Sequence, residues 1–191
     1  MLTISSIDQI KARVLEKLRD LDPGLTYHRL EHTLDVLEQA QRIAGEEGIN
    51  DEHDLLLLQI ASLYHDTGFL GAYHQHEENS CSIFLEDATQ YNLSDEDRQQ
   101  VVSLIMATKI PQQPATLLEK ILCDADLDYL GRDDFFEIGN ELKKELIHYG
   151  IILNEQEWEK LQLNFLSRHQ YHTESSKRLR EPAKQSNMRQ L

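Results

Sequence analysis

The sequence is poor in cysteine and has no long apolar run. Its two cysteines, Cys81 and Cys123, are far apart and form no CxxC pair, so we expect neither a disulfide framework nor a thiolate zinc site. No segment approaches the roughly 20 apolar residues that span a membrane. The first residues also lack the basic and apolar regions of a signal peptide. We therefore expect a cytoplasmic protein with no membrane partner.

Positive charge is scarce as well. The formal net charge is −15, which argues against nucleic acid as a partner because nucleic-acid-binding proteins usually present a basic face. Residues 161–191 are the exception, with six basic and two acidic residues. A solvated basic helix is the simplest interpretation of this segment. The alternative is that its cations border a site for a small anionic substrate.

What the sequence does contain is one amphipathic segment after another. Its length of 191 residues fits a single domain over 1–191, with a core over about 25–170 and a basic C-terminal helix and tail over about 171–191. Strand-like alternation never exceeds a few residues. The pattern predicts an all-α fold, a compact helical bundle, in which the nearly uninterrupted apolar helix over about 51–66 lies in the middle.

Two His-Asp dipeptides occur in the chain, and their settings differ. His53-Asp54 lies in the first turn of a predicted helix, where polar residues are ordinary capping material. His65-Asp66 follows the most apolar helix and is itself followed closely by Gly68. Polar groups at the end of a buried helix need partners, because an unpaired buried charge is costly. A metal ion would satisfy both side chains at once.

Two other segments could supply further ligands. His28 and His32 are four residues apart and share a face if both are helical. Asp124, Asp126 and Asp128 alternate directly after an apolar helix. A solvated acidic turn is the alternative interpretation of this run. A calcium-binding EF-hand loop does not fit, because the required glycine and closing glutamate are missing.

The order of these residues, H…HD…D, resembles the HD-domain superfamily of metal-dependent phosphohydrolases from about Tyr27 to the last helix. In that superfamily, three segments of one helical bundle meet at a metal. The resemblance implies His32, His65, Asp66 and Asp126 as the ligands, since the family pattern places its last aspartate before an apolar residue. Asp124 is the fallback ligand, or otherwise a partner of a ligating histidine.

Two shorter likenesses concern the chemistry. Tyr27-His28 with His32 is similar to a motif of cyclic-nucleotide phosphodiesterases, which implies that His28 protonates the leaving oxygen. His76-Glu77 with Ser80 resembles a stretch that many bacterial members use near the substrate or a second metal.

The segment around Lys109 departs from the pattern of the two-metal members. Where those members carry a further histidine, this chain has Ala107-Thr108-Lys109. A second metal site is therefore doubtful, and Lys109 is a candidate to contact a phosphate oxygen.

Together these residues predict one divalent ion, Mn²⁺, Fe²⁺, Mg²⁺, Co²⁺ or Zn²⁺, in an open site of nitrogen and oxygen donors. The expected function is hydrolysis of a small phosphate ester, with a nucleotide or cyclic nucleotide as the leading class. Asp66 would orient or deprotonate the water, and His28 or His76 would be the acid. One alternative is a catalytically weak, metal-containing domain that senses nucleotides or binds a partner. Another is a structural helical adaptor. The sequence leaves the substrate and the oligomeric state open.

Overall fold

The structure is a computed structural model that describes residues 4–191, with side chains from Ile7 onward. In this range it contains three short 3-10 helices, Thr67–Leu70, Ala88–Gln90 and Asp128–Gly131, and no strand. The α-helices of the same range are α1 (Ile4–Leu18), α2 (Leu30–Glu46), α3 (Glu52–Tyr64), α4 (His76–Asp87), α5 (Asp95–Ala107), α6 (Leu117–Asp126), α7 (Phe135–His148), α8 (Glu155–Arg168) and α9 (Glu174–Met188). The predicted all-α fold is confirmed.

Side-chain caps determine where the central helices begin. The Asp51 carboxylate accepts hydrogen bonds from the first turn of α3. Ser94 and Thr116 form capping boxes, each with an acidic residue three positions later, at the starts of α5 and α6. Such caps satisfy backbone N–H groups that have no partner within the helix. Helix α6 begins at Leu117 and ends at Asp126.

Helix α3 lies at the centre of the largest core cluster. Leu57, Leu58 and Ile60 are completely buried, and the helix packs against α1, α2, α5 and α6. Each such side chain stabilises the fold by about 1.5–3 kcal/mol through burial. Helices α2 and α6 also pack against each other, so the start of α2 and the ends of α3 and α6 come together.

A glycine allows the chain to fold back directly after α3. A Cβ atom at Gly68 would lie 1.9 Å from the carbonyl oxygen of His76, so no larger residue fits this approach. The hydroxyl of Ser80 donates to the carbonyl of His65 (2.7 Å) and accepts from the amide of Gly68 (2.8 Å). These contacts hold the first turn of α4 beside His65 and Asp66.

Helix α9 is packed onto the rest of the molecule and is not simply a solvated basic helix. Arg180 pairs with the buried Asp128, and α9 packs against the 3-10 helix Asp128–Gly131. Lys184 is only 1% exposed and donates to the carbonyl of His169 at 2.6 Å. Part of the C-terminal positive charge is therefore neutralised within the fold.

Candidate metal centre

The four predicted ligands converge at the junction of α2, α3 and α6. One donor atom each of His32, His65, Asp66 and Asp126 lies within 4.8 Å of the others. His32 Nε2 is 3.3 Å from Asp66 Oδ2 and 3.2 Å from Asp126 Oδ1, and His65 Nε2 is 3.0 Å from Asp66 Oδ2. Donors that surround one ion at about 2.1 Å are separated by about 3–3.4 Å. The cluster therefore has the dimensions of a single-ion site.

Neighbouring groups fix the orientation of both imidazoles. His65 Nδ1 donates to the carbonyl oxygen of Ser62 at 2.8 Å, which leaves its other ring nitrogen, Nε2, directed at the cluster. The ring of His32 packs against Tyr27 with centroids 4.6 Å apart. A hydrogen bond from the second imidazole nitrogen is the usual way in which proteins orient a metal-binding histidine.

The cluster attracts positive charge. Burial by itself would lower the pKa of His32, but a hydrogen bond to Asp126 and the adjacent Asp66 raise it to about 9. Burial would likewise raise the pKa of Asp126, but its hydrogen bonds to His32 and His65 lower it to about 2. The two carboxylates thus favour cationic neighbours strongly enough to offset the burial of charge.

One atom of the cluster lacks a hydrogen bond. Asp66 Oδ2 is buried close to both imidazoles, yet within the described residues it has no hydrogen-bond partner. A buried carboxylate oxygen without a partner is costly. Two imidazole nitrogens and two carboxylate oxygens are a donor set suited to a divalent ion in an open site, so these residues fit the predicted metal.

The fallback ligand Asp124 lies outside this cluster. Its carboxylate is completely buried and accepts hydrogen bonds from the amides of His172 and Thr173, both at 2.8 Å, and from the Thr173 hydroxyl at 2.7 Å. It therefore anchors the start of α9 and partners no ligating histidine. Asp128 pairs instead with Arg42 and Arg180. The three alternating aspartates therefore have different partners, and only Asp126 belongs to the cluster.

His28 is held by a carboxylate that no motif indicated. Its Nδ1 lies 2.5 Å from Oε1 of Glu145, which also accepts from the Tyr73 hydroxyl at 2.9 Å. The other oxygen of Glu145 accepts from the amides of Tyr27 and His28. Burial opposes ionisation of Glu145, but these contacts, led by His28, lower its pKa.

One signal in the sequence could have revealed Glu145. It falls on the apolar stripe of α7, seven residues after Ile138 and three after Leu142. A carboxylate on a buried stripe needs a partner. The sequence does not say which of nine histidines supplies it.

Two further residues of the predicted reactive group, His76 and Glu77, lie next to the cluster. His76 Nε2 is 3.6 Å from Asp66 Oδ1 and 3.5 Å from Glu77 Oε1. Its ring stacks on Phe69 with centroids 4.1 Å apart. Burial lowers the pKa of His76 despite the nearby carboxylates, so its neutral form is favoured.

Comparison with known proteins identifies the family of this chain. The sequence model of the HD domain matches residues 29–128, which include all four clustered side chains. This chain belongs to the HD domain family. HD domains are generally metal-dependent hydrolases of the phosphohydrolase type and bind divalent metals. The resemblance drawn from the sequence is thereby confirmed.

A solved structure shows that the fold extends beyond the matched region of the HD domain. The crystal structure of a structural-genomics target from Lactobacillus plantarum superimposes with a TM-score of 0.70 and 20% identity, over 100% of this chain and 96% of that one. No significant match is found among curated proteins. Within residues 4–191, no helix has both the length and the apolar character needed to cross a membrane.

Lys109 of this HD domain is engaged elsewhere. Its amine forms an ion pair with Glu78, and both side chains are about two-fifths exposed, at 43% and 42%. Lys109 is not one of the residues that line the cavity beside the cluster. The structure therefore gives no support to the predicted contact between Lys109 and a phosphate oxygen.

A cavity of about 180 Å³ opens beside the cluster of the HD domain. Its polar end is formed by Asp66, Asp126, His28, His76 and Glu77, and its other end by apolar side chains of α7 and α8. All the predicted reactive residues except Lys109 thus face one small space or the ion site beside it.

Proposed function

We propose that this HD domain hydrolyses the phosphate ester of a small molecule with the help of one divalent metal ion. A nucleotide or cyclic nucleotide is the leading substrate class. The observation that carries the proposal is the convergence of four donor atoms within 4.8 Å at the polar end of a cavity.

The metal would be held by His32, His65, Asp66 and Asp126, and Mn²⁺, Fe²⁺, Mg²⁺, Co²⁺ and Zn²⁺ suit these donors. Such an ion, when bound, lowers the pKa of water and neutralises charge on phosphoryl oxygens. The carbonyl of Ser62 keeps His65 in the tautomer that this task requires.

Asp66 serves as the base. Its Oδ2 faces the two imidazoles, whereas its Oδ1 faces His76. In our proposal Oδ1 orients the attacking water and accepts its proton as the phosphorus–oxygen bond forms. Because the pKa of Asp66 is held well below its usual value, against burial, chiefly by the charge of His65, the base is ionised over the physiological range.

His28 serves as the acid. Glu145 engages its Nδ1, so Nε2 is the ring nitrogen left for the substrate. As the phosphorus–oxygen bond to the leaving alcohol breaks, His28 Nε2 delivers a proton to that oxygen and Glu145 stabilises the ring. A positioned proton donor of this kind typically contributes about 10²–10⁴-fold in rate.

The decisive experiment is a reconstitution screen. Protein stripped with a chelator is reloaded separately with each of the five metals and assayed for product from nucleotides, cyclic nucleotides and sugar phosphates. We expect binding of one ion per chain and turnover of at least one substrate.

Two results would contradict the proposal. Protein that binds no divalent ion at equilibrium would remove its basis. Tight nucleotide binding without product would favour the sensor alternative.

A further inference from the structure

The cavity beside the metal centre has an apolar wall that the proposed chemistry does not use. Trp158 and Phe165 of α8, Leu142 of α7, and Leu130 line it. None of the described residues that line it is a lysine or arginine. This wall therefore suits an uncharged organic group, in contrast to the carboxylates and imidazoles at the other end.

One polar side chain interrupts the apolar wall. Gln162 is only 6% exposed and lines the cavity. No hydrogen bond joins its side-chain amide to another described residue, and the amide atoms are not among the fully buried atoms that lack a partner, so they are accessible from the cavity. An amide without a partner in the protein must form its hydrogen bonds with water or with a ligand. A ligand in the cavity would supply both a donor and an acceptor.

Helix α7 is shaped to admit this amide. A Cβ atom at Gly139 would lie 2.9 Å from Gln162 Nε2 and 3.6 Å from Cζ2 of Trp158. Any larger residue at position 139 would displace the end of the glutamine side chain. The glycine of α7 and the glutamine of α8 thus form one matched arrangement.

Size and polarity limit what can fill the cavity. Its volume is about 180 Å³, whereas an apolar cavity of about 150 Å³ is enough to bind benzene and drug-sized ligands need about 300–1,000 Å³. A single ring fits. A polyol against the apolar wall would lose water from several hydroxyl groups and find there only the amide of Gln162 in return, which is unfavourable.

We propose that the organic group of the substrate is a single flat ring with a hydrogen-bond donor and acceptor side by side on one edge, and that Gln162 binds that edge. Trp158 and Phe165 contact the ring. This inference rests on the proposed function for the identity of the ligand as a substrate, although binding of the ring itself requires no metal.

Trp158 is the only tryptophan of the chain, so its fluorescence reports directly on the cavity. Metal-free protein is titrated with two neutral ring compounds, uridine and 4-hydroxybenzamide, and with ribose, which lacks the ring. We expect at least one ring compound to change the Trp158 emission saturably, and ribose to bind at least about tenfold more weakly. Equal binding of ribose, or no saturable change with either ring compound, would overturn the inference.

Three variants assign the recognition to Gln162. Gln162→Leu replaces a buried amide with an apolar side chain of similar size and should weaken ring binding about tenfold, the effect of one lost hydrogen bond. Gly139→Ala should weaken it in the same direction by displacing the amide. Gln156→Leu changes an exposed glutamine of the same helix and should leave it unchanged. Unaltered binding by Gln162→Leu would refute the assignment.

A kinetic comparison separates this inference from the proposed function. Metal-loaded protein is given uridine 5′-phosphate, 4-carbamoylphenyl phosphate and ribose 5-phosphate. Turnover without any preference for the ring compounds would overturn the inference and leave the hydrolase proposal intact. Ring binding without turnover of any phosphate would support the inference and count against the hydrolase.

Discussion

Residues 4–126 and residues 127–191 differ in both packing and chemistry. The first region, α1–α6, shares one continuous apolar core, whereas the second packs through two smaller clusters. The first contains all four candidate ligands. The second contributes Glu145 behind His28 and most of the apolar cavity wall. In our proposals, the reaction centre is thus built on the better packed region and the wall that selects the substrate on the other region.

This division follows because metal binding and selection of the organic group place different demands on the packing of the side chains. Metal ligands must keep their positions within a few tenths of an ångström, so they belong at the ends of tightly packed helices. A wall that selects an organic group can change side chains without loss of the fold. The family match ends at residue 128, close to the boundary between the two regions.

The largest effect should come from removing a ligand in the first region. His65→Ala should abolish metal binding and lower activity by about 10³-fold or more, because the cation and the base it aligns act together. Metal content is measured by elemental analysis and activity by product release. His53→Ala is the matched control, since the second His-Asp dipeptide lies on the surface and pairs with Asp97. Retained metal in the His65 variant would contradict the assignment.

The contribution of the second region to the reaction is tested at His28 and Glu145. His28→Ala should keep the metal and lower kcat by about 10²–10⁴-fold. Glu145→Gln should have a smaller effect on kcat than His28→Ala. It should also move the alkaline limb of the pH profile, where activity falls as the acid loses its proton, to lower pH, because the partner of His28 loses its charge. Glu137→Gln, an exposed change in the same helix, serves as the control. An unshifted pH profile in the Glu145 variant would argue for a merely structural contact.

The link between the regions is tested at Asp128. Asp128→Ala leaves Arg42 and Arg180 without their buried partner, and loss of one member of such a pair typically costs about 3 kcal/mol. We expect that decrease in the free energy of unfolding by urea titration. Asp133→Ala, at an exposed neighbouring position, should change it by less than about 0.5 kcal/mol. A similar small change for both variants would mean that the arginines find other partners.

The effect that is smallest at neutral pH concerns the acid stability of the second region. Burial, together with the charge of Lys184, lowers the pKa of His169 from its ordinary 6.5 to about 3. Between these values the unfolded chain binds a proton that the folded chain does not, so this residue destabilises the fold as the pH falls from 6.5 towards 3. His169→Gln should flatten the fall in melting temperature over that window. Parallel curves for variant and wild type would show that His169 contributes nothing.

Much of the fold and of the candidate site could be predicted from the sequence. Helix periodicity and caps such as Ser94 are local properties, so the all-α fold followed from them. The apolar character of α3 distinguished His65-Asp66 from His53-Asp54. The resemblance to the HD-domain superfamily, whose pattern places its last aspartate before an apolar residue, selected Asp126 over Asp124, and the structure brings Asp126 to the cluster.

What could not be predicted depends on contacts between distant residues. The pairing of His28 with Glu145 spans 117 positions, and no local pattern specifies it. Lys109 is directed to Glu78 by the packing of α4 against α5. Gln162 had no pattern of its own, because the significance of a buried amide is visible only once the cavity is known.

The three alternating aspartates also affect the order in which parts of the molecule can fold during synthesis. Asp124 is bound by His172 and Thr173, directly before α9, and Asp128 pairs with Arg180 of α9 and Arg42 of α2. Asp126, between them, belongs to the candidate metal centre. A nascent chain on the ribosome cannot form all the contacts of this stretch until residues 172–180 have been synthesised. We expect proteolytic loss of residues 172–191 to lower activity without removing any residue of the candidate metal centre.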